Sequence, residues 1–256
     1  MKLLCPVCGK PLCREEKSAR CENRHTFDYA ASGYLNLALN KSGLHGDSKE
    51  MTAARTSFLE SGSWLPLRNV LAEKLQAMEP TVTVDLCCGE GWYTRAFPGT
   101  EKYGIDLSKP ALIYAAKHDK ETQYVLASAF RTPLPDQCAD AVITCFAPVA
   151  AEEIRRILKP GGCFLHITGG PDHLRELKEL LYEKVILNAE NPPEEALVLQ
   201  EETTLEFRFG TDRSTLQNLF LMTPYAYRSP AAGKQRLEHT DHLSITAQFI
   251  IRTYSR

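Results

Sequence analysis

The stretch CPVCGKPLCREEKSARCENRH, residues 5–25, constrains this chain more than any other, because it gathers four cysteines and a histidine in one short, polar segment. Cys5 and Cys8 are separated by two residues, Cys21 and His25 by three, and twelve residues lie between the pairs, giving CxxC, x12, CxxxH. A tight turn between paired ligands aims both at one ion, and this sulfur and nitrogen set specifies tetrahedral zinc. Cys13 has no partner at such a spacing and reads as a free thiol. Residues 1–40 have too little apolar content to fold alone, so a bound ion would supply the core they lack. Gly9 and Pro11 suit a knuckle turn, and RHTFDYA reads as a strand leaving it. The expected organisation is a zinc-binding ribbon over residues 1–38 and a second unit over residues 39–256.

Composition bounds the rest. With 43% hydrophobic and 24% charged residues in 256, the chain has the makings of a folded soluble protein, and no apolar run approaches a bilayer span. The opening MKLLCPVCGK is broken by cysteine and proline before a signal peptide's apolar region could form. Cys87, Cys88, Cys138, Cys145 and Cys163 lie scattered among apolar neighbours, which suits reduced thiols and a cytoplasmic location. A net charge of −2 argues against a surface coated in cations, although a local patch can still meet a polyanion. Lys2, Lys10, Arg14, Lys17, Arg20 and Arg24 outnumber the ribbon's acids, an excess suited either to phosphates or to a solvated surface. Residues 176–206 carry nine Glu against two Lys and read as an acidic insertion.

In the larger unit, EMTAARTSFLESGSWLPLRNVLAEKLQAM has helical spacing, with Ser63 placed to cap and Pro66 early in the second helix. TVTVDLC, KYGIDL, TQYVLA, ADAVITCF and GCFLHIT then read as short strands between helical or turn-rich stretches, which predicts an α/β fold with a parallel sheet. The first strand runs into VDLCCGEGWYT. Gly89 and Gly91 would let the backbone approach a nucleotide, and a helix beginning near Thr94 would direct its N–H groups at it. Thr94 stands where a dinucleotide fingerprint needs a third glycine, which disfavours a dinucleotide. Asp85 can order the turn or meet a cationic ligand end. Asp106, at the next strand end, can accept the two hydroxyls of a ribose. DxxxGxG followed by an acidic strand end resembles the class I (Rossmann-like) S-adenosylmethionine-dependent methyltransferases.

The ribbon together with GYLNL, GDSKEM, DLCCGEGWYT, APVAAEEIRRILKPGG and LMTPYAYR resembles the bacterial 23S ribosomal RNA guanine-N1 methyltransferase family across almost the whole chain. The resemblance implies Cys5, Cys8, Cys21 and His25 as ligands of Zn2+. It implies Trp64, Asp85, Glu90, Thr94, Asp106 and His173, with Gly89 and Gly91, as contacts to S-adenosyl-L-methionine. It also implies a homodimer acting on a guanosine in a hairpin of 23S ribosomal RNA. CFAPVA, at the fourth strand end, lacks the NPPY-like signature of amino-group methyltransferases, and a thiol at Cys145 is more often core than nucleophile. His173 and Asp172 are candidates for the base that removes the N1 proton, and Tyr225, Tyr227 and Arg228 for the wall of an RNA cleft. Two rival readings stay open: a small-molecule methyltransferase with a structural zinc, and an RNA-binding protein without turnover.

Overall fold

The computed structural model describes residues 2–39, 46–189 and 192–256. Residues 1, 40–45 and 190–191, which fall within the two units drawn from the sequence, lie outside the described residues. The ribbon is a small antiparallel sheet of β1 (Cys13–Arg14), β2 (Ser18–Arg20) and β3 (Thr26–Asp28). The chain then adds β4 (Leu35–Asn36) in parallel to the edge of a much larger sheet.

Two helices follow. In α1 (Lys49–Glu60), the Ser48 hydroxyl accepts from the Met51 N–H, the ordinary way a serine satisfies a helix's first free donors. In α2 (Leu65–Gln76), Pro66 lies in the first turn as expected, but Trp64 rather than Ser63 holds the N-cap position and no side chain caps it. The Ser63 hydroxyl instead pairs with that of Ser61 at 2.8 Å.

The five predicted strands are present as β5 (Val82–Leu86), β6 (Glu101–Asp106), β7 (Thr122–Leu126), β8 (Ala139–Cys145) and β9 (Leu158–Gly169). Helices α3 (Lys109–His118) and α4 (Ala151–Ile157) are crossovers between them. Every residue of β5 is buried, Thr83 and Asp85 included, as expected of a central parallel strand covered on both faces. β5 is followed only by a 3₁₀ turn at Thr94–Ala96, not by the expected helix. Pro98 and Gly99 follow at once, and proline and a glycine at φ +134° end any helical run.

The last third was not legible as strands. After α5 (Arg175–Leu181), β10 (Val198–Asp212) runs the length of the sheet. Three helices, α6 (Arg213–Leu221), α7 (Tyr225–Arg228) and α8 (Ala231–Glu238), return the chain to β11 (His242–Ser255). The sheet order is β10-β11-β9-β8-β5-β6-β7-β4, with the first two strands antiparallel to their neighbours and the rest parallel. The acidic segment 176–206, expected as an insertion, begins in α5 and ends in β10. Its charges brace a partly exposed strand: Glu201 meets Lys74 at 2.8 Å and Glu202 meets Arg252 at 2.6 Å.

One apolar cluster joins α1, α2, α5, α6 and α8 to one face of β8, β9 and β11. A second joins Leu3, Leu12, Ala19 and Leu35 of the N-terminal segment to Val84, Ile105 and Phe164 of the large sheet. The Leu4 N–H also donates to the Pro133 carbonyl at 2.7 Å, so the ribbon is packed on the sheet rather than tethered to it. Among the described residues, no helix is long and apolar enough to cross a membrane.

Candidate metal centre and cofactor cleft

The ligand atoms of Cys5, Cys8, Cys21 and His25 all lie within 4.8 Å of one another. The Cys8 and Cys21 sulfurs are 3.7 Å apart, and His25 Nδ1 is 3.5 Å from the Cys5 sulfur and 3.4 Å from that of Cys21. A tetrahedron with Zn–S near 2.3 Å and Zn–N near 2.05 Å has edges of about 3.8 and 3.6 Å, so the donor set fits this ion. A backbone hydrogen bond from Lys10 pulls the Cys8 thiol down to about 6, while burial raises that of Cys5. Cys13 lies outside the cluster, exposed on β1.

The second site is a cleft of about 450 Å³ at the C-terminal ends of β5 to β8, where ligands of open parallel sheets bind. Four of the sequence-predicted residues, Asp85, Gly89, Glu90 and Asp106, line it. Asp106 Oδ2 accepts from the Gly89 N–H at 2.9 Å and Oδ1 from the Ser108 N–H at 2.6 Å, which ties the glycine turn to the end of β6. Lone pairs remain on both oxygens. Asp85 accepts from the Thr94 hydroxyl at 2.5 Å, so Thr94 supports the carboxylate without lining the cleft.

Burial dominates the electrostatics. It pushes Asp85 and Glu90 up to about 7, with Arg55 opposing at Glu90, and raises Asp106 against the two N–H groups that stabilise its charge. Arg55 pairs with Asp47 and lies 4.0 Å from Glu90 Oε2, which accepts no hydrogen bond although Glu90 is only 3% exposed. Three buried carboxylates around one paired arginine leave the cleft short of positive charge. Such a donor set fits a ligand that is itself cationic, as the sulfonium and ammonium of S-adenosylmethionine are.

The remaining predicted residues sit further back. Gly91 has φ +73°, and a Cβ there would meet the Tyr124 ring at 3.0 Å, so its requirement for glycine comes from internal packing. Trp64 and His173 are buried behind Phe146, with ring centroids 5.5 and 6.4 Å from it. Burial holds the His173 imidazole neutral, its value lowered to about 3, which makes it a feeble proton acceptor. Asp172 pairs with Arg175 and does not line the cleft. Cys145 lines it, but burial raises its thiol far above the ordinary value, leaving no thiolate for attack. Tyr225, Tyr227 and Arg228 are not among the lining residues.

Sequence reasoning missed Asp47, Arg55, Tyr93 and Phe130 as cleft residues. Asp47 and Tyr93 lay in the quoted motifs GDSKEM and DLCCGEGWYT and Arg55 in the first helical stretch, but none of the four carries a spacing signal that marks it as a cleft residue.

A groove of about 790 Å³ borders the cleft and shares Leu107, Ala127 and Ser128 with it. Its far wall is the zinc knuckle, Cys5 to Gly9.

A zinc-ribbon family described as "RlmA, N-terminal" matches residues 3–39, and one described as "Methyltransferase domain" matches residues 84–166. The solved structure of YcgJ from Bacillus subtilis superposes with a TM-score of 0.52 at 14% identity, covering 74% of this chain and 97% of that one. Fold and cleft together define a class I methyltransferase, whose domain implies S-adenosylmethionine, joined to a zinc ribbon. The 23S rRNA (guanine(748)-N(1))-methyltransferase of Streptomyces fradiae is 39% identical over 188 residues, 70% of this chain and 67% of that one. This chain belongs to the 23S rRNA (guanine-N1)-methyltransferase family. YxjB of Bacillus subtilis (strain 168) is 28% identical over 270 residues, 94% of this chain and 93% of its own.

Proposed function

We propose that this chain methylates N1 of a guanosine in a hairpin of 23S ribosomal RNA, with S-adenosylmethionine as donor. The observation that carries the reading is the cleft, short of positive charge and of small-molecule size, opening through three shared residues into a groove walled by the zinc knuckle. In this reading residues 1–38 grip RNA backbone and residues 39–256 hold the cofactor and the base. Two copies act as a homodimer in the cytoplasm, as the family likeness suggests.

S-adenosylmethionine supplies a methyl group already activated by the positive sulfur. The chain's part is to bind, orient and exclude water. Asp106 accepts from the ribose hydroxyls on the lone pairs left free by Gly89 and Ser108. Asp85, held by Thr94, and Glu90 face the cationic end. Trp64 and His173 brace the Phe146 ring from behind, away from the cofactor's own contacts. Gly91 lets the turn close on Tyr124. Holding two reactants in line contributes about 7 to 11 kcal/mol to such a step, so no protein nucleophile is needed.

The test is incubation of the pure protein with methyl-labelled S-adenosylmethionine and either 23S ribosomal RNA or a metabolite extract, followed by digestion. Label recovered as 1-methylguanosine supports the reading. Label in metabolites supports a small-molecule enzyme, and no label supports an RNA-binding protein without turnover.

A further inference from the structure

Two features of the cleft are left over when the cofactor's contacts have been assigned. Tyr93 is only 8% exposed and lines the cleft, yet its hydroxyl has no hydrogen-bond partner. An orphaned buried O–H is costly unless a ligand completes it. Burial keeps the phenol protonated well beyond its ordinary range, so it can serve only as a neutral donor or acceptor.

The second feature is Phe146, which is 41% exposed on the same cleft. Its backbone is left-handed, φ +59°, a conformation a bulky residue adopts only when its surroundings impose it. Trp64 and Phe249 back its ring at 5.5 and 5.6 Å, so the ring is braced on one side and open to the cleft on the other. Phe146 follows β8 directly, and β8 pairs with β5, the strand that carries Asp85.

Resting on the reading above, we infer that Tyr93 and Phe146 form the seat of the target guanine. The braced Phe146 ring stacks on the base once it has left its own stack. The Tyr93 hydroxyl donates to guanine O6. During transfer the N1 lone pair closes on the methyl carbon, the carbon–sulfur pair returns to sulfur, and the N1 proton leaves to water. The base ends neutral and the donor ends as a neutral thioether. Negative charge that develops on the N1–C6–O6 unit as the proton departs falls on the oxygen that Tyr93 holds.

Tyr93→Phe keeps the buried ring and removes only the donor. Cofactor affinity by calorimetry should stay within twofold of wild type, while kcat falls on the order of a hundredfold. The limb of the pH profile that rises with N1 ionisation should also move upward by about one pH unit, since a lost donor to O6 leaves N1 less acidic. A merely structural hydroxyl would not shift that limb. Phe146→Ala should raise the KM for RNA by about tenfold and abolish the fluorescence change of a 2-aminopurine placed at the target position. Phe146→Tyr should restore both, and Phe146→Leu should not. Unchanged cofactor affinity in each variant shows that it is folded. Wild-type kcat and pH profile in Tyr93→Phe, or wild-type KM and fluorescence in Phe146→Ala, overturns the seat while leaving the methyltransferase reading intact. A wild-type protein that never labels RNA removes both.

Discussion

The metal centre and the cofactor cleft are neighbours built on opposite principles. All four candidate metal ligands come from residues 5–25, and chain spacing already brings their donor atoms within 4.8 Å of one another. The cleft draws its lining from the segment before α1, from α1 itself and from the ends of β5, β6, β7 and β8, and it exists only once the sheet is assembled. One site makes the local fold, whereas the other is made by it. The ribbon should therefore fail all at once when a ligand is lost, and the cleft should lose function gradually while the fold survives.

Removing zinc should produce the largest effect. Structural zinc contributes about 10 to 16 kcal/mol to small sites of this kind, so a strong chelator or Cys8→Ser should unfold the ribbon. Amide hydrogen exchange over residues 3–39 reports this directly; retained protection without metal would break the contrast. Gly91→Ala should come next, costing about 2 to 3 kcal/mol through strain at φ +73° and the clash with Tyr124, read as a lower Tm. Asp106→Asn should cost less stability, about 1 to 2 kcal/mol, because its amide can accept from only one of the Gly89 and Ser108 N–H groups, and should weaken cofactor binding by about tenfold or more as a charge-assisted acceptor becomes a neutral one. Cys13→Ser should have the smallest effect, within about 0.5 kcal/mol and with one zinc per chain retained, since the side chain is exposed and outside the cluster.

The same contrast explains what the sequence disclosed. Metal ligands are legible because spacing on one short segment is their geometry. The five parallel strands are legible because each carries a short β-branched and aromatic run, such as VTV in β5 and AVIT in β8, between helical or turn-rich stretches. β10 escaped notice because it alternates exposed and half-buried positions, and its glutamates read as solvated charge until Lys74 and Arg252 appear opposite them. Asp85, Gly89, Glu90 and Asp106 could be marked from the glycine turn and the strand ends. Tyr93 and Arg55 could not, because the first is an aromatic in a turn and the second sits on a helix whose facing loop is known only after folding. The reason Gly91 must be glycine also became visible only with Tyr124 in place.

The central claim is that the cleft is built to receive a cation, and titration calorimetry with S-adenosylmethionine across pH tests it most directly. Asp85 and Glu90, pushed up to about 7 when no ligand neutralises them, must give up their protons to face positive charge. Affinity should therefore rise between pH 6 and pH 7.5, by about tenfold if one such carboxyl is linked to binding, with protons released to the buffer. Binding that is absent, or that is independent of pH and releases no protons, would contradict the account.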